Sequence, residues 1–273
     1  MNRLTILALG SLGIVLVISA TVYIYRADLD WLKRNAAETP ITEQAAREAL
    51  KGMPLVFQEN KGQVDAQVKY LVRNGATSMF FAESEIVYQL LEVTPPAQNE
   101  TMPRVPTITD DDKPTKAVAM RQTFVGGLTP YTVQGEIELK SKVNYFIGND
   151  ESKWVRGAST YASVRYTQIY EGIDVVYDGS LGRLDYRFEL QPGANPDDIH
   201  VKVEGADSLA LAADGALVFV TPLGNMGLPK PRATQNGKSI AGVVQYRLID
   251  DTTFAIELGT YDQQQPLIIT TSQ

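Results

Sequence analysis

Residues 144–178 read NYFIGNDESKWVRGASTYASVRYTQIYEGIDVVYD. The stretch carries Tyr145, Tyr161, Tyr166, Tyr170 and Tyr177 beside Phe146 and Trp154, and it has no His and no Cys. Rings at this density, next to alternating apolar runs, predict the packed centre of a β domain. Immediately downstream, Ile173, Val175 and Tyr177 share one side of a strand. Leu184, Tyr186, Phe188 and Leu190 share a face of the next, with Asp185, Arg187 and Glu189 opposite. Alternation with a period of two predicts half-buried antiparallel strands. The segment Gly179-Ser180-Leu181-Gly182 reads as the hairpin loop between them.

Working outward, the same grammar extends over most of the chain. Leu55 to Gln58 and Lys69 to Val72 read as short strands, and Ser78 to Ala82 with Ile86 to Val93 as a hairpin across Glu83-Ser84. In Glu136 to Lys140 the pattern sets Ile137 and Leu139 on one face. Asp214-Gly215 and Asn236-Gly237 are turn signals between further strands. Val244, Tyr246 and Leu248, then Phe254, Ile256 and Leu258, supply a final pair. Strands at short spacing with Gly turns indicate an all-β domain, an antiparallel β-sandwich or open barrel. No repeat of fixed period is visible, so a propeller within this chain is not expected. The domain is expected over 53–270.

Thr94 to Lys116 interrupts the pattern. It holds Pro95, Pro96, Pro103, Pro106 and Pro114 and the acid run Asp110-Asp111-Asp112. A stretch of this composition buries too little apolar surface to order itself, so a mobile loop over 94–116 is expected. The acid run lacks the spacing and central Gly of an EF-hand, so it reads as a solvated tip.

Before residue 53 the composition changes. Leu4 to Tyr25 carries no charge and matches the ~20 residues that a bilayer-spanning helix needs. A cleavable signal peptide with a cut after Ala20 is the rival. The apolar run continues through Val22, Tyr23 and Ile24, longer than the ~7–15 residues of a signal core. An uncleaved anchor over 1–26 is therefore expected, followed by a helical juxtamembrane linker over 27–52 with Thr39 as cap and Pro40 at its first turn. Arg26, Lys33 and Arg34 lie after the apolar run and Arg3 before it, so charge alone would keep the body in the cytoplasm.

The totals exclude several functions. The chain has 273 residues, of which 44% are hydrophobic and 21% charged, enough for one large β domain. The net charge is −7, with Lys and Arg scattered rather than in a stripe, which argues against nucleic acid as a partner. Cys is absent and His200 is the only His. Thiol nucleophiles, zinc–thiolate sites, Ser–His pairs and multi-His metal sites are thereby set aside. No metal, cofactor or catalytic residue is expected.

Paired acids are the best catalytic alternative. Asp174 and Asp178 share a face of one strand, and Asp185 and Glu189 a face of its partner. Glycosidases need two carboxylates about 5–10 Å apart. Residues four apart on one strand stand roughly 13 Å apart, so only a cross-strand pair would serve. Acids alternating with apolar residues are more simply the wet face of a half-buried sheet. The rings Trp154, Tyr161, Tyr166 and Tyr170 are the candidate ligand-binding set, a stacking platform for sugars. Their bland reading is core. His200, alternating with Val201, reads as an exposed sheet residue.

Several motifs, taken in order, resemble one family. Pro54-Leu55-Val56-Phe57-Gln58-Glu59-Asn60-Lys61-Gly62-Gln63 is similar to its opening. Asn144-Tyr145-Phe146-Ile147-Gly148-Asn149-Asp150, followed by Ser152-Lys153-Trp154, is similar to its most specific motif. Tyr170 to Tyr177, Gln191 to Pro196 and Pro266 to Ile269 resemble later ones. The family is a bacterial domain of unknown function that typically precedes seven-bladed β-propeller (SBBP) repeats in exported or surface proteins. Such relatives usually run on into repeats, where this sequence stops at Gln273. The resemblance implies an extracytoplasmic body, against the charge count, and brings no catalytic residues with it. The expected function is a membrane-anchored, envelope-exposed, non-catalytic binding module for an envelope protein or glycan. The alternatives are a carbohydrate-active enzyme using Asp174 or Asp185, and an assembly domain for a partner protein.

Overall fold

A computed structural model describes residues 54–92, 116–179 and 182–271. The expected anchor over 1–26, the helical linker over 27–52 and nearly all of the 94–116 loop lie outside the described residues. Among the described residues, no helix is long and apolar enough to cross a membrane.

The described chain is all-β. Its strands are β1 (Phe57–Glu59), β2 (Val68–Asn74), β3 (Thr77–Ala82), β4 (Ile86–Leu91), β5 (Ala117–Phe124), β6 (Thr132–Tyr145), β7 (Val155–Tyr170), β8 (Ile173–Asp178) and β9 (Asp185–Leu190). There follow β10 (His200–Glu204), β11 (Ser208–Leu211), β12 (Leu217–Val220), β13 (Met226–Leu228), β14 (Arg232–Gln235), β15 (Lys238–Ser239), β16 (Val244–Leu248), β17 (Thr253–Leu258) and β18 (Leu267–Thr270). Strands β11, β12 and β13 form a small sheet of three. The other 15 form one continuous antiparallel ladder, β15-β14-β18-β9-β8-β7-β1-β2-β3-β4-β5-β10-β17-β16, with β6 paired to β7.

The aromatic stretch organises this ladder. Strand β7 takes β6 along one side. Along its other side it takes β1 at Thr160 and Tyr161, then β8 from Ser163 onward. Strands β1 and β8 thus meet end to end beside β7, where the Leu55 N–H donates to the Gly179 carbonyl at 2.6 Å. A Cβ on Gly179 would sit 2.5 Å from that Leu55 backbone, so the junction admits only glycine. From this junction one arm runs from β1 to β16 and the other from β8 to β15.

The two arms face each other across the core. Phe81 of β3 lies 5.5 Å from Tyr177 of β8, and Phe124 of β5 lies 6.3 Å from Phe188 of β9, ring centre to ring centre. Phe124 also meets Tyr131, Tyr166 and Tyr170 edge-on, the arrangement favoured by ring quadrupoles. Among the described residues, the buried tyrosine hydroxyls all have hydrogen-bond partners. Gln122 donates to the Tyr177 hydroxyl at 2.7 Å and accepts from Tyr88 at 2.8 Å, bridging the arms. Tyr186 and Tyr246 pair through their hydroxyls at 3.0 Å. Burial drives the phenols of Tyr166, Tyr177 and Tyr186 well above their ordinary range, so they remain neutral donors.

The turns and pairings of the sequence reading are largely present. The β3–β4, β8–β9, β11–β12 and β14–β15 hairpins fall at the expected turns. Strands β4 and β5 are neighbours although the 94–116 segment separates them, with Leu91 opposite Ala117. Two readings need correction. Ile137 does not face the core: it is 72% exposed, at φ 56°, just before the β6 register shifts between Glu138 and Lys142. The β16–β17 pair is not the last, because β18 inserts between β9 and β14. Four apolar-rich residues at a terminus carried too little alternation to be read as a central strand.

Candidate functional site

The four candidate rings do not form one platform. Tyr166 has 0% exposure and its hydroxyl donates to the Ala82 carbonyl at 3.0 Å. Tyr170 is buried, and its hydroxyl donates to the His200 carbonyl at 2.8 Å while accepting from the His200 N–H at 3.2 Å. A ring without exposed surface offers no face to a ligand, so both are corrected from platform to core. His200 is half-buried at the start of β10 rather than exposed. Tyr161 is half-buried, edge-on to Tyr70 at 5.5 Å, and its ring covers Gly135 of β6. A Cβ on Gly135 would fall 2.5 Å from that ring. Trp154 precedes Tyr161 by seven residues along extended chain, roughly 23 Å at about 3.3 Å per residue.

Trp154 instead belongs to the tip of the β6–β7 hairpin. The connection crosses a 3₁₀ turn, Glu151–Lys153, capped by Asp150. The Asp150 carboxylate accepts from the Ser152 hydroxyl at 2.6 Å and its N–H at 3.1 Å, which holds its pKa below the usual range. The Trp154 indole N–H donates to the Gly148 carbonyl at 3.0 Å, tying the ring to the turn. Phe146 stands edge-on to Trp154 at 5.1 Å. The Arg156 guanidinium lies 5.5 Å from the Phe146 ring and 5.6 Å from the Trp154 ring. Phe146 is 56% exposed and Ile147 63%. The tip therefore presents two rings, an aliphatic side chain and a cation on a braced turn. Among these only Trp154 was picked out from sequence. Phe146 and Ile147 were legible only as members of a motif and Arg156 was not singled out, because alternation assigns faces within a strand and says nothing of a hairpin tip.

The acids do meet across strands. Asp174 stands opposite Glu189, and Asp178 opposite Asp185. Arginines occupy the space between them. Arg165 reaches Glu136 at 2.5 Å, Asp174 at 2.9 Å and Glu189 at 2.7 Å. Arg187 reaches Glu189 at 2.7 Å and Asp178 at 3.5 Å. Burial raises the Glu189 pKa, but its hydrogen bonds from Arg165 and Arg187 outweigh this and leave it below the ordinary value. Such a carboxylate is a poor proton donor. Asp185 is only 2% exposed, and burial raises its pKa. Its Oδ1 has no hydrogen-bond partner, while Arg183 stands 3.7 Å from its Oδ2. Among the described residues, no group of three or more His, Cys, Asp or Glu is placed to hold a metal.

The family model described as Domain of unknown function (DUF7948) matches residues 57–270. The chain belongs to that family. No curated protein matches the chain, and no solved structure does.

Proposed function

We propose that this chain is a non-catalytic interaction module, anchored by Leu4 to Tyr25, displayed outside the cytoplasmic membrane, and docking an envelope protein or glycan through the β6–β7 tip. The folded β ladder serves as a sandwich-like scaffold for that tip. The observation that carries the reading is the tip itself: Phe146, Ile147 and Arg156 are solvent-facing, and Phe146 and Arg156 pack on the partly buried Trp154 ring, on a turn held by Asp150. Aromatic residues and Arg are the side chains that dominate binding surfaces, because they offer large contact area at small entropic cost. The non-catalytic part is supported by the arginines that neutralise Asp174, Asp178 and Glu189. The extracytoplasmic part is supported by the resemblance to domains that precede propeller repeats in exported proteins.

The test uses the full-length protein in mild detergent, probed on a glycan array and in a pull-down from envelope extract. Binding in either format is expected, and Phe146→Ser with Ile147→Ser should abolish it without changing the melting temperature. Capture that survives both substitutions and Trp154→Ala would move the docking surface elsewhere. Hydrolysis of polysaccharide lost in Asp185→Asn would replace the reading with an enzyme.

A further inference from the structure

A second site lies on other strands, at the seam where the two ends of the long ladder approach. One arm ends in β14 and β15, the other in β16, and no ladder joins them. The seam is bridged instead by the Tyr246 hydroxyl, which donates to the Pro229 carbonyl at 3.1 Å. Beside it opens a groove of about 460 Å³ whose lining includes Lys230, Arg232, Ser239, Ile240 and Val244. This is the size range of small-molecule sites.

The charge of the groove is unlike that of the molecule. The chain carries −7 overall, yet Lys230 and Arg232 both line the groove, and neither has an ion-pair partner among the described residues. The single acid in the lining, Asp214, turns its Oδ1 to the Ala216 N–H at 3.0 Å. Both cations are solvent-exposed. The Lys230 stem packs against Gly215, where a Cβ would approach it to 3.0 Å. Two prolines flank Lys230 and fix the backbone that carries it. Because β15 and β16 are terminal strands, their outer edges add unspent backbone donors and acceptors.

We propose that this groove binds a small hydroxylated carboxylate, with the Arg232 fork and the Lys230 ammonium on the carboxylate and Ser239 and the strand edges on hydroxyls. A guanidinium matches a carboxylate through two parallel hydrogen bonds, and an ammonium adds a second point charge. The volume exceeds that of a bare anion and leaves room for a sugar acid or a hydroxy-polyacid. Both share the carboxylate chemistry, and they are told apart by titration.

The experiment is calorimetric titration of the full-length protein in mild detergent with citrate, with digalacturonate and with inorganic phosphate. Saturable binding of citrate or digalacturonate is expected, the tighter of the two naming the source. Binding should fall about tenfold or more in K230Q/R232Q, and should weaken when salt is raised from about 0.05 to 0.5 M. Arg232→Lys should give an intermediate loss, since it keeps the charge and removes the fork. Trp154→Ala should leave this binding unchanged, which separates it from the tip. Equal binding by K230Q/R232Q at unchanged melting temperature would overturn the proposal. So would phosphate binding alone, or no binding of any of the three.

Discussion

Trp154 and Tyr166 lie 12 residues apart in the same tyrosine-rich stretch, and only their burial separates them. Tyr166 has 0% exposure, while Trp154 is half-buried against Phe146. Tyr166→Ala should therefore cost about 3–5 kcal/mol in denaturant unfolding, and Trp154→Ala only about 1–2 kcal/mol, because part of the residue's surface stays in water in the folded state. Equal losses would show that the tip is core. Asp185 gives a second test at this scale. Its folded pKa is raised, so ionisation is disfavoured in the fold. The penalty is absent below the unfolded value of about 3.9 and develops as pH rises through the folded pKa. Asp185→Asn should thus gain melting temperature relative to the parent from about pH 4 upward. A difference that stays constant with pH would mean that burial leaves this carboxyl unaffected.

Among the elements, β7 matters most because it holds both arms. Its Arg165 gathers Glu136 from β6, Asp174 from β8 and Glu189 from β9 on one guanidinium. Removing it takes this guanidinium from Glu136 and Asp174 and leaves Glu189 with Arg187 alone. Arg165→Met should cost about 1.5–3 kcal/mol at neutral pH. The folded pKa of Glu189 is depressed, so its stabilisation is present above about 4.3 and is lost as pH falls through the folded value. The penalty of Arg165→Met should accordingly shrink in acid, as melting curves at pH 7 and about pH 3 would show. The β4–β5 hairpin supports another prediction. Its ladder closes at Leu91 and Ala117, and the Glu92 N–H donates to the Lys116 carbonyl at 2.9 Å. Loop length adds only about 0.6 kcal/mol per doubling to closure. Replacing 95–114 by a short Gly-Ser link should leave the melting temperature nearly unchanged. Loss of the cooperative transition would mean that this segment contributes to the core.

At the scale of the whole molecule, the proposed placement depends on residues before the β domain. Leu4 to Tyr25 is uncharged and long enough to span a bilayer. The full-length protein should pellet with membranes and resist carbonate extraction. A reporter fused after Gln273 should be active only on the outer side. Activity in the cytoplasm would show that Arg26, Lys33 and Arg34 set the orientation.

The all-β class, most hairpins, the inward faces of β8 and β9, and membership of a domain family of unknown function were legible in the sequence. Each of these is a local matter: alternation assigns side chains to faces, and turn residues mark where the chain reverses. The tertiary structure alone decided which arm meets which, since Phe81 with Tyr177 and Gln122 with Tyr177 join residues far apart in the chain. It separated core rings from tip rings, although both have the same composition. It also paired the acids across strands and set Arg165 and Arg187 between them, a result of register between β7, β8 and β9. Burial and charge balance depend on what packs opposite a residue, and a strand's own sequence does not carry that information.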